Sequence, residues 1–339
     1  MKNIYRLIWL NRFVRSYRIK FAGVLLLDLL GLRHLFLRFD PVNACNLQCS
    51  MCYYSDKSYK KKIRGHFTED DIERIAGLFF QKTLQLVIGC ASEPTLYKNY
   101  PDIVRLAKKY KIPYVGLTTN AQLITKDHLE SLVENQLDEI TISMHGVSRE
   151  SYEKFMVSAE YEKLKEVLAT LHQIKKSAAT EKPHLRINYT VNPENLEELL
   201  LFFDEFGEYG IQTLQIRPMA DVGKTSYKYR KLTQSQLGRY GEVTELVRDK
   251  CRLYGITCLI TKIDPNFQSS EKGVTYPLAG VLRTIHPNKV WQVGFKWREQ
   301  SYRNYCHEIG WRKMMLGTIF GKKEYFRQSK HYLKYDVDL

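Results

Sequence analysis

The sequence predicts an α/β protein whose main part is a partial (β/α)6-type barrel. Two observations support this prediction: strand-like and helix-like segments alternate from residue 35 to residue 262, and a loop with three cysteines directly follows the first predicted strand. Functional groups on loops after the strands are typical of barrels of parallel strands. With 339 residues, the chain is long enough for one large α/β domain and a small appendage.

The predicted elements follow one another in chain order. We expect strands over residues 35–40, 84–89, 113–118, 138–143, 184–191, 212–217 and 256–261. The first helix after the cysteine loop should begin at Thr68, because Asp71 stands at the capping-box position. Further helices are predicted over residues 100–110, 125–134, 194–208 and 233–254. The sequence therefore predicts six or seven βα units.

The chain divides into three predicted regions: a basic and apolar N-terminal helical segment (1–34), the barrel (35–262) and an irregular C-terminal extension (263–339). Residues 1–38 carry eight Lys or Arg against one acid, Asp28, which interrupts an apolar stretch too short to span a bilayer. Two arrangements of the N-terminal segment remain open: an amphipathic helix on a membrane surface, or a pair of helices packed on the main domain. The extension is rich in aromatic and basic residues, and we expect it to cover the open end of the barrel.

The formal net charge of +15 favours anionic partners. Phosphorylated substrates, nucleic acid and acidic lipid headgroups all fit this description, and nothing in the sequence favours nucleic acid. The seven cysteines are an odd number and no secretory signal is evident, which argues against a disulfide framework. We therefore expect a cytoplasmic protein, or one at the inner surface of the membrane.

Cys45, Cys49 and Cys52 are spaced so that three thiolates of one loop can converge on one metal centre. A structural zinc takes four protein ligands, and a simple iron–sulfur cluster usually takes four cysteines. His34 and His66 are the nearest candidates for a fourth zinc ligand, but a strand and a lysine-rich stretch separate them from the loop. Packing as buried small hydrophobes is the other alternative. The spacing favours a cluster with one iron left open for another ligand.

Four elements of the sequence resemble motifs of radical S-adenosylmethionine (SAM) enzymes. Residues 45–52, CNLQCSMC, resemble the Cx3Cx2C signature that follows the first barrel strand in this superfamily. The other three are ASEP at 91–94, which resembles the "GGEP" element, TTNA at 118–121, which resembles the "TNG" turn, and ISMHG at 142–146, which resembles "ISIDG" with His145 replacing the usual acid. The resemblance covers roughly residues 35–262, and each element ends a predicted strand.

The resemblance implies a radical SAM barrel with a [4Fe–4S] cluster on Cys45, Cys49 and Cys52 and with SAM on the open iron. Reductive cleavage of SAM would give a 5′-deoxyadenosyl radical that abstracts hydrogen from a substrate carbon, with a protein such as flavodoxin or ferredoxin as electron donor. The implied SAM contacts are Ser92, Glu93, Thr119, Asn120, Ser143 and Asn188. Arg217 is a candidate partner for the SAM carboxylate or for an anionic substrate, and Met51 for packing on adenine.

The sequence leaves three hypotheses for the reaction. The first is hydrogen abstraction from a carbohydrate, giving epimerisation or dehydrogenation; the second is modification of a peptide or protein side chain. The third is a non-catalytic iron–sulfur binding protein. Cys90, Cys251, Cys258 and Cys306 form no recognisable second-cluster pattern, so we predict no auxiliary cluster. Cys306 is either a hydrogen donor to the substrate radical or a buried packing cysteine.

Overall fold

The computed structural model describes residues 14, 16–220, 222, 224–229, 231–261, 281–291, 294–321 and 335–338, with Tyr17 and the last four residues described by backbone alone. Most of the aromatic and basic residues of the predicted membrane-surface stretch fall in residues 1–13, which lie outside the described residues. The same holds for residues 262–280 and 322–334 of the predicted extension.

Eight strands form one parallel sheet in the spatial order β8-β1-β2-β3-β4-β5-β6-β7, and a ninth strand pairs with β7 in the antiparallel sense. The strands are β1 (Leu35–Phe39), β2 (Thr83–Ile88), β3 (Tyr114–Thr119), β4 (Glu139–Met144), β5 (His184–Val191), β6 (Thr213–Pro218), β7 (Thr257–Thr261), β8 (Leu282–Ile285) and β9 (Tyr335–Asp338). Within the described ranges the edge strands β8 and β9 do not pair with each other, so the barrel is partial. The predicted fold class is confirmed, and the bounds of all seven predicted strands lie within one residue of the observed ones.

The α-helices alternate with these strands. They are α1 (Tyr17–Leu29), α2 (Lys57–Lys62), α3 (Glu69–Phe79), α4 (Tyr100–Lys109), α5 (Lys126–Glu134), α6 (Arg149–Phe155), α7 (Tyr161–Ser177), α8 (Phe202–Phe206), α9 (Gln234–Leu253), α10 (Tyr302–Glu308) and α11 (Trp311–Phe320). Three of the predicted helix starts are confirmed, because Thr68, Thr125 and Thr233 each cap their helix with a reciprocal capping box.

The predicted helix over residues 194–208 differs from the structure. A 3-10 helix (Glu197–Leu201) precedes the short helix α8 instead. The side chains of Asn192 and Asn195 each accept a backbone N–H from the turn that follows β5. This local bonding competes with regular helix formation and delays it.

The sheet buries one face against the helices and leaves the other polar. Along β5, Leu185, Ile187 and Tyr189 are fully buried in the main core. Because side chains of a strand alternate, Asn188 and Thr190 point to the opposite, concave face. The same alternation places polar residues of β4 and β6 on that face, which is the face available to ligands.

The C-terminal region contains regular structure that the sequence did not indicate. Strand β8 pairs with β1, so the strand before the cysteine loop is an interior strand. Trp291 stacks on Phe79, with ring centroids 5.0 Å apart, and Tyr302 contacts the same ring edge-on. These contacts lie near the start of β2, at the end of the sheet away from the cysteine loop. That the C-terminal extension covers the open end of the barrel stays a prediction.

Helix α1 packs on α11. Phe21 and Leu25 of α1 form a small core with Trp311, Met315 and Ile319. The described part of the N-terminal segment therefore packs as a single helix on α11 of the C-terminal region. No helix in the described ranges is both long enough and apolar enough to cross a bilayer.

Candidate active site

The loop after β1 carries the three motif cysteines and is fixed at both sides. The backbone N–H groups of Gln48 and Ser50 donate to the carbonyls of Val157 and Phe155, at 3.0 and 2.9 Å. On the other side, the N–H of Tyr227 donates to the carbonyl of Ser50 at 3.0 Å. The loop therefore lies between the end of α6 and the segment that follows β6.

The three thiols of this loop are half-buried and close enough to influence one another. Burial raises the pKa of Cys45 to about 12, and raises the pKa values of Cys49 and Cys52 as well. The negative charge of Cys45 raises the pKa of Cys49 further. Three desolvated thiolates at this place need a cationic partner, which the irons of a cluster supply.

Weak donors surround the first cysteine. The N–H of Leu47 and the amide of Asn120 approach the sulfur of Cys45 at 3.4 and 3.8 Å. Donors to cluster sulfurs are one of the means by which proteins tune iron–sulfur centres. Among the described side chains, no three His, Cys, Asp or Glu converge on one point as a mononuclear ion requires. The donor set fits a cluster better than a zinc ion.

Asp40 organises the loop after β2, and the sequence interpretation missed it. Its fully buried carboxylate accepts the consecutive N–H groups of Cys90, Ala91 and Ser92, with the shortest distances at 2.8, 3.1 and 3.3 Å. The hydroxyl of Ser92 donates to the carbonyl of Val42 at 2.6 Å. The ASEP element is thus bonded to the start of the cysteine loop. An acid as the last residue of the strand predicted before the cysteines was the available signal.

Glu93 links the loops after β2 and β3. Its buried carboxylate accepts hydrogen bonds from the hydroxyls of Thr95 and Thr119, each at 2.7 Å, and from the backbone N–H groups of Thr95 and Asn120. The amide of Asn120 in turn donates to Asn46 of the cysteine loop at 2.9 Å. Glu93, Thr119 and Asn120 therefore join three loops in one network. Their contact with SAM stays a prediction.

Ser143 and Asn188 stand side by side on the concave face. They are register partners on β4 and β5. Asn188 is 6% exposed, and its Oδ1 has no hydrogen-bond partner. A buried carbonyl oxygen without a partner is rare in proteins and fits a site that a ligand donor completes. This observation supports, without testing, the predicted role of both residues.

Two arginines give the concave face positive charge. Arg38 in the middle of β1 is exposed there and forms no hydrogen bond or ion pair with any described side chain. Arg217, the last residue but one of β6, is exposed as well and donates to the hydroxyl of Thr190 at 3.4 Å. Burial and the charge of Arg217 lower the pKa of His145 to about 4. His145 is therefore neutral at pH 7, where the usual acid of the "ISIDG" element would be negatively charged.

Met51 is nearly buried and packs with Phe155 and Met219. Its sulfur also lies 3.4 Å from the amide nitrogen of Asn192. These contacts fix the loop between the second and third cysteines. The predicted contact of Met51 with adenine stays a prediction.

Cys251, Cys258 and Cys306 lie away from this site. Cys251 and Cys258 are buried in the main core and lie within hydrogen-bonding reach of each other. Cys306 lies beside Tyr302 and close to Asp28 and Lys82, at the start of β2 and so at the opposite end of the sheet from the cluster loop. This placement contradicts the hydrogen-donor hypothesis for Cys306 and agrees with the packing alternative.

Eight of the nine predicted site residues lie on the last residues of the strands or on the loops that follow them, and Asn188 lies in the middle of β5 as the register partner of Ser143. The loops carry Cys45, Cys49, Cys52, Ser92, Glu93 and Asn120, while the strands carry Thr119, Ser143 and Asn188. Three cysteine thiols, a neighbouring polar network and an unpartnered amide oxygen can together hold an iron–sulfur cluster and a polar organic ligand.

The chain is similar to known proteins over this part. The model of the Radical SAM superfamily matches residues 40–206. The GTP 3′,8-cyclase of Aquifex aeolicus is 28% identical over 201 residues, which are 59% of this chain and 61% of that protein. The probable GTP 3′,8-cyclase of Saccharolobus solfataricus is 27% identical over 195 residues, which are 57% of this chain and 60% of that protein. The chain thus spans about three fifths of these relatives.

Solved structures share the fold. Streptococcus suis SuiB bound to S-adenosylmethionine superposes with a TM-score of 0.60 at 18% identity, over 81% of this chain and 64% of that one. Native anSMEcpe with bound AdoMet gives a TM-score of 0.58 at 16% identity, over 87% of this chain and 88% of that one. At these identities the likeness concerns the fold, whereas the family implies SAM and a [4Fe–4S] cluster as cofactors. Residues 40–206 therefore belong to the radical SAM superfamily.

Proposed function

We propose that this enzyme cleaves SAM reductively at a [4Fe–4S] cluster bound by Cys45, Cys49 and Cys52, and uses the resulting radical to remove hydrogen from an anionic substrate. The observation that carries the proposal is the three-cysteine loop at the end of β1, next to an open polar concave face. Three cysteines leave one iron of such a cluster for an exogenous ligand. The non-catalytic alternative is not retained, because the chain belongs to a family of enzymes.

The residues of the chain have separate tasks in this proposal. Once bound, the cluster and SAM supply one-electron cleavage of a carbon–sulfur bond, which side chains cannot perform. The network of Glu93, Thr119 and Asn120 holds the loops after β2 and β3 in one arrangement. The unpartnered Oδ1 of Asn188 accepts a ligand donor. The Asp40 carboxylate fixes the backbone of residues 90–92 beside the cysteine loop.

The charge of the concave face supports an anionic substrate. Arg38 and Arg217 both reach this face, and the neighbouring His145 is neutral at pH 7. Arginine is well suited to phosphate and carboxylate groups because its planar fork donates two parallel hydrogen bonds. Two relatives are named GTP 3′,8-cyclase, and GTP is a polyphosphate, which is consistent with an anionic substrate. A phosphorylated carbohydrate meets the same requirement and stays the leading prediction, although no comparison supports a carbohydrate.

A peptide or protein substrate is the second candidate. The structure of SuiB bound to its precursor peptide SuiA superposes on 90% of this chain with a TM-score of 0.60 at 17% identity. This likeness concerns the fold. We therefore include the peptide alternative in the experiments below.

Anaerobic reconstitution with iron and sulfide, followed by dithionite and SAM, tests the reaction. We expect 5′-deoxyadenosine from the wild-type chain and none from Cys45→Ala, Cys49→Ala or Cys52→Ala, which should also lose the cluster absorbance. Cys306→Ala is the matched control, because this thiol lies at the far end of the sheet and should leave both readouts unchanged. A fully loaded wild-type cluster that gives no 5′-deoxyadenosine would refute the proposal.

Treated extracts distinguish the substrate classes. Metabolite extract should raise 5′-deoxyadenosine formation above the level without substrate. Phosphatase treatment of the extract should remove this increase if the substrate is a phosphorylated small molecule. Loss of the increase after protease treatment alone would instead favour the peptide candidate and contradict the anionic small molecule.

The electron donor is proposed to bind beside the cluster loop, over helix α2. Lys57, Lys61 and Lys62 of this helix are exposed, and none forms an ion pair among the described residues. A cavity of about 530 Å³ next to α2 is lined by Lys60, Arg64 and Lys98 without any acid. Lys60 is near enough to Cys45 to lower the pKa of that thiol. An acidic redox protein such as flavodoxin or ferredoxin fits this surface by charge.

Charge reversal tests this surface. Lys57→Glu/Lys61→Glu should lower flavodoxin-driven SAM cleavage by about tenfold at low salt, because steering by opposite charges changes association rates by 10- to 1,000-fold. The dithionite-driven rate should not change. Lys109→Glu/Lys176→Glu is the matched control: these lysines are exposed at the ends of α4 and α7, near the starts of the strands. Equal losses in both double variants would refute the assignment.

A further inference from the structure

Helix α1 is apolar on two sides, and only one side is covered. Phe21 and Leu25 are buried against α11. On the other side, Ile19, Leu26 and Leu30 remain 63, 56 and 62% exposed. A helix that is apolar all round is normally buried on all sides. The exposed side of α1 therefore lacks a partner within the described residues.

Helix α11 extends the exposed apolar surface. Leu316 and Phe320 are one turn apart and are 46 and 78% exposed. The two helices are antiparallel neighbours, because Arg18 at the start of α1 donates to the carbonyl of Gly321 at 2.8 Å. Phe320 thus lies near the start of α1. We call the exposed side chains Ile19, Leu26, Leu29, Leu30, Leu32, Leu316 and Phe320 the apolar face. Exposed apolar areas of this kind mark sites of protein or membrane interaction.

The charges around the apolar face select among these partners. Asp28 is the only acid in residues 1–33 and 311–321, and it is paired with Lys82 and Arg312. Lys313 lies on the exposed side of α11. The preceding residues 1–13 have the same composition, with Trp9, Phe13 and several aliphatic residues among three basic side chains and no acid. Leucine and aromatic side chains bordered by lysine and arginine are typical of segments that lie in the interface of anionic membranes.

We propose that the apolar face docks this enzyme on an anionic membrane surface. No helix in the described ranges crosses a bilayer, so the attachment is peripheral. The face lies at the start of β1, whereas the cysteine loop follows the end of the same strand. Docking by this face directs the site away from the bilayer. The inference concerns attachment and does not depend on the proposed reaction.

Vesicle flotation of the full chain tests the proposal. We expect the wild type to float with vesicles of phosphatidylcholine and phosphatidylglycerol, and to bind pure phosphatidylcholine more weakly. Leu26→Gln/Leu30→Gln should lower partitioning by about tenfold or more, because two leucines lose their burial in the interface. Leu201→Gln/Leu253→Gln is the matched control, since these leucines are 53 and 85% exposed on other helices. It should partition like the wild type.

Three outcomes would overturn the proposal. Absence of wild-type flotation with either vesicle would refute it, as would equal losses in the test and control variants. The third outcome is a wild type that does not float but forms a dimer, which Leu26→Gln/Leu30→Gln converts to a monomer. This result would show that the apolar face binds a second copy of the chain. Circular dichroism of all variants separates loss of binding from loss of fold. Flotation requires neither cluster nor SAM, so a failed SAM-cleavage assay does not affect this test.

Discussion

Removal of the Asp40 charge is the most informative single perturbation of the site. The carboxylate is completely buried and accepts three consecutive backbone N–H groups of the loop after β2. Asp40→Asn preserves the shape of the side chain but removes the charge and turns one acceptor into a donor. The loop that carries Ser92 then loses part of its support while the cysteines themselves are unchanged.

The magnitude follows from the hydrogen bonds that are lost. A hydrogen bond to a charged group contributes about 1.5–3 kcal/mol, against about 1 kcal/mol for a neutral one. Asn keeps one acceptor, so we expect Asp40→Asn to lower the free energy of unfolding by about 2–3 kcal/mol. Asp40→Ala leaves all the loop donors without this partner and should cost more. SAM affinity should fall about tenfold, since the backbone of residues 90–92 is no longer fixed.

Urea unfolding followed by tryptophan fluorescence measures the stability, and equilibrium binding of SAM to reconstituted protein measures the affinity. Iron content should equal that of the wild type. Asp56→Asn is a matched control, because Asp56 also accepts a backbone N–H, from Ser58 at 2.8 Å, but on the protein surface. Asp40→Asn with unchanged stability and SAM affinity, or with losses no larger than those of Asp56→Asn, would refute the reasoning.

Three further predictions concern stability measured by urea unfolding. Gly89→Ala should lower the free energy of unfolding by about 3 kcal/mol or more, because φ is +79° and the added Cβ would lie 2.2 Å from the carbonyl oxygen of Thr118. Gly255→Ala is the control and should cost about 1 kcal/mol, because φ is also positive, at +65°, but no atom lies near the added Cβ. Equal costs for the two variants would contradict the predicted clash. Phe79→Ala should cost about 3–5 kcal/mol and change the fluorescence of Trp291, which stacks on it; a surface-like loss below about 0.5 kcal/mol would contradict this packing. The pKa of His145 is lowered from 6.5 to about 4 in the folded protein. Between these pH values the unfolded chain binds a proton at this residue that the folded protein does not bind. The free energy of unfolding should therefore fall as the pH is lowered through this range. His145→Gln should lose less stability between pH 7 and pH 5 than the wild type, and an identical loss would show that His145 is not the group responsible.

Strand positions and cluster ligands could be predicted because both depend on local patterns. Alternation of apolar residues gave all seven central strands within one residue, and the cysteine spacing identified the loop that follows β1. Strand β8 was missed because four residues, Leu282–Ile285, carry too little pattern. The position of β8 in the sheet depends on its pairing with β1, and no local sequence pattern indicates this pairing.

The partners of site residues were less predictable than the residues themselves. Glu93 was expected to contact a ligand, and the structure shows its carboxylate bonded to Thr95, Thr119 and Asn120. A motif specifies the residue type but not which neighbouring groups it bonds. Asp40 was overlooked for the same reason, because its partners are backbone groups about 50 positions away.

The pairing of β8 with β1 links the cluster loop to the last part of the chain to be synthesised. Phe36 pairs with Leu282, about 250 positions later, so this contact forms tens of seconds after β1 leaves the ribosome at 5–20 residues per second. Until then, β1 is an open sheet edge with unpaired backbone groups next to three unprotected thiols. The nascent chain is thus most exposed to misassociation and thiol oxidation at its future catalytic centre. A site in which β1 is paired on both sides is therefore available for cluster insertion only after β8 has been synthesised.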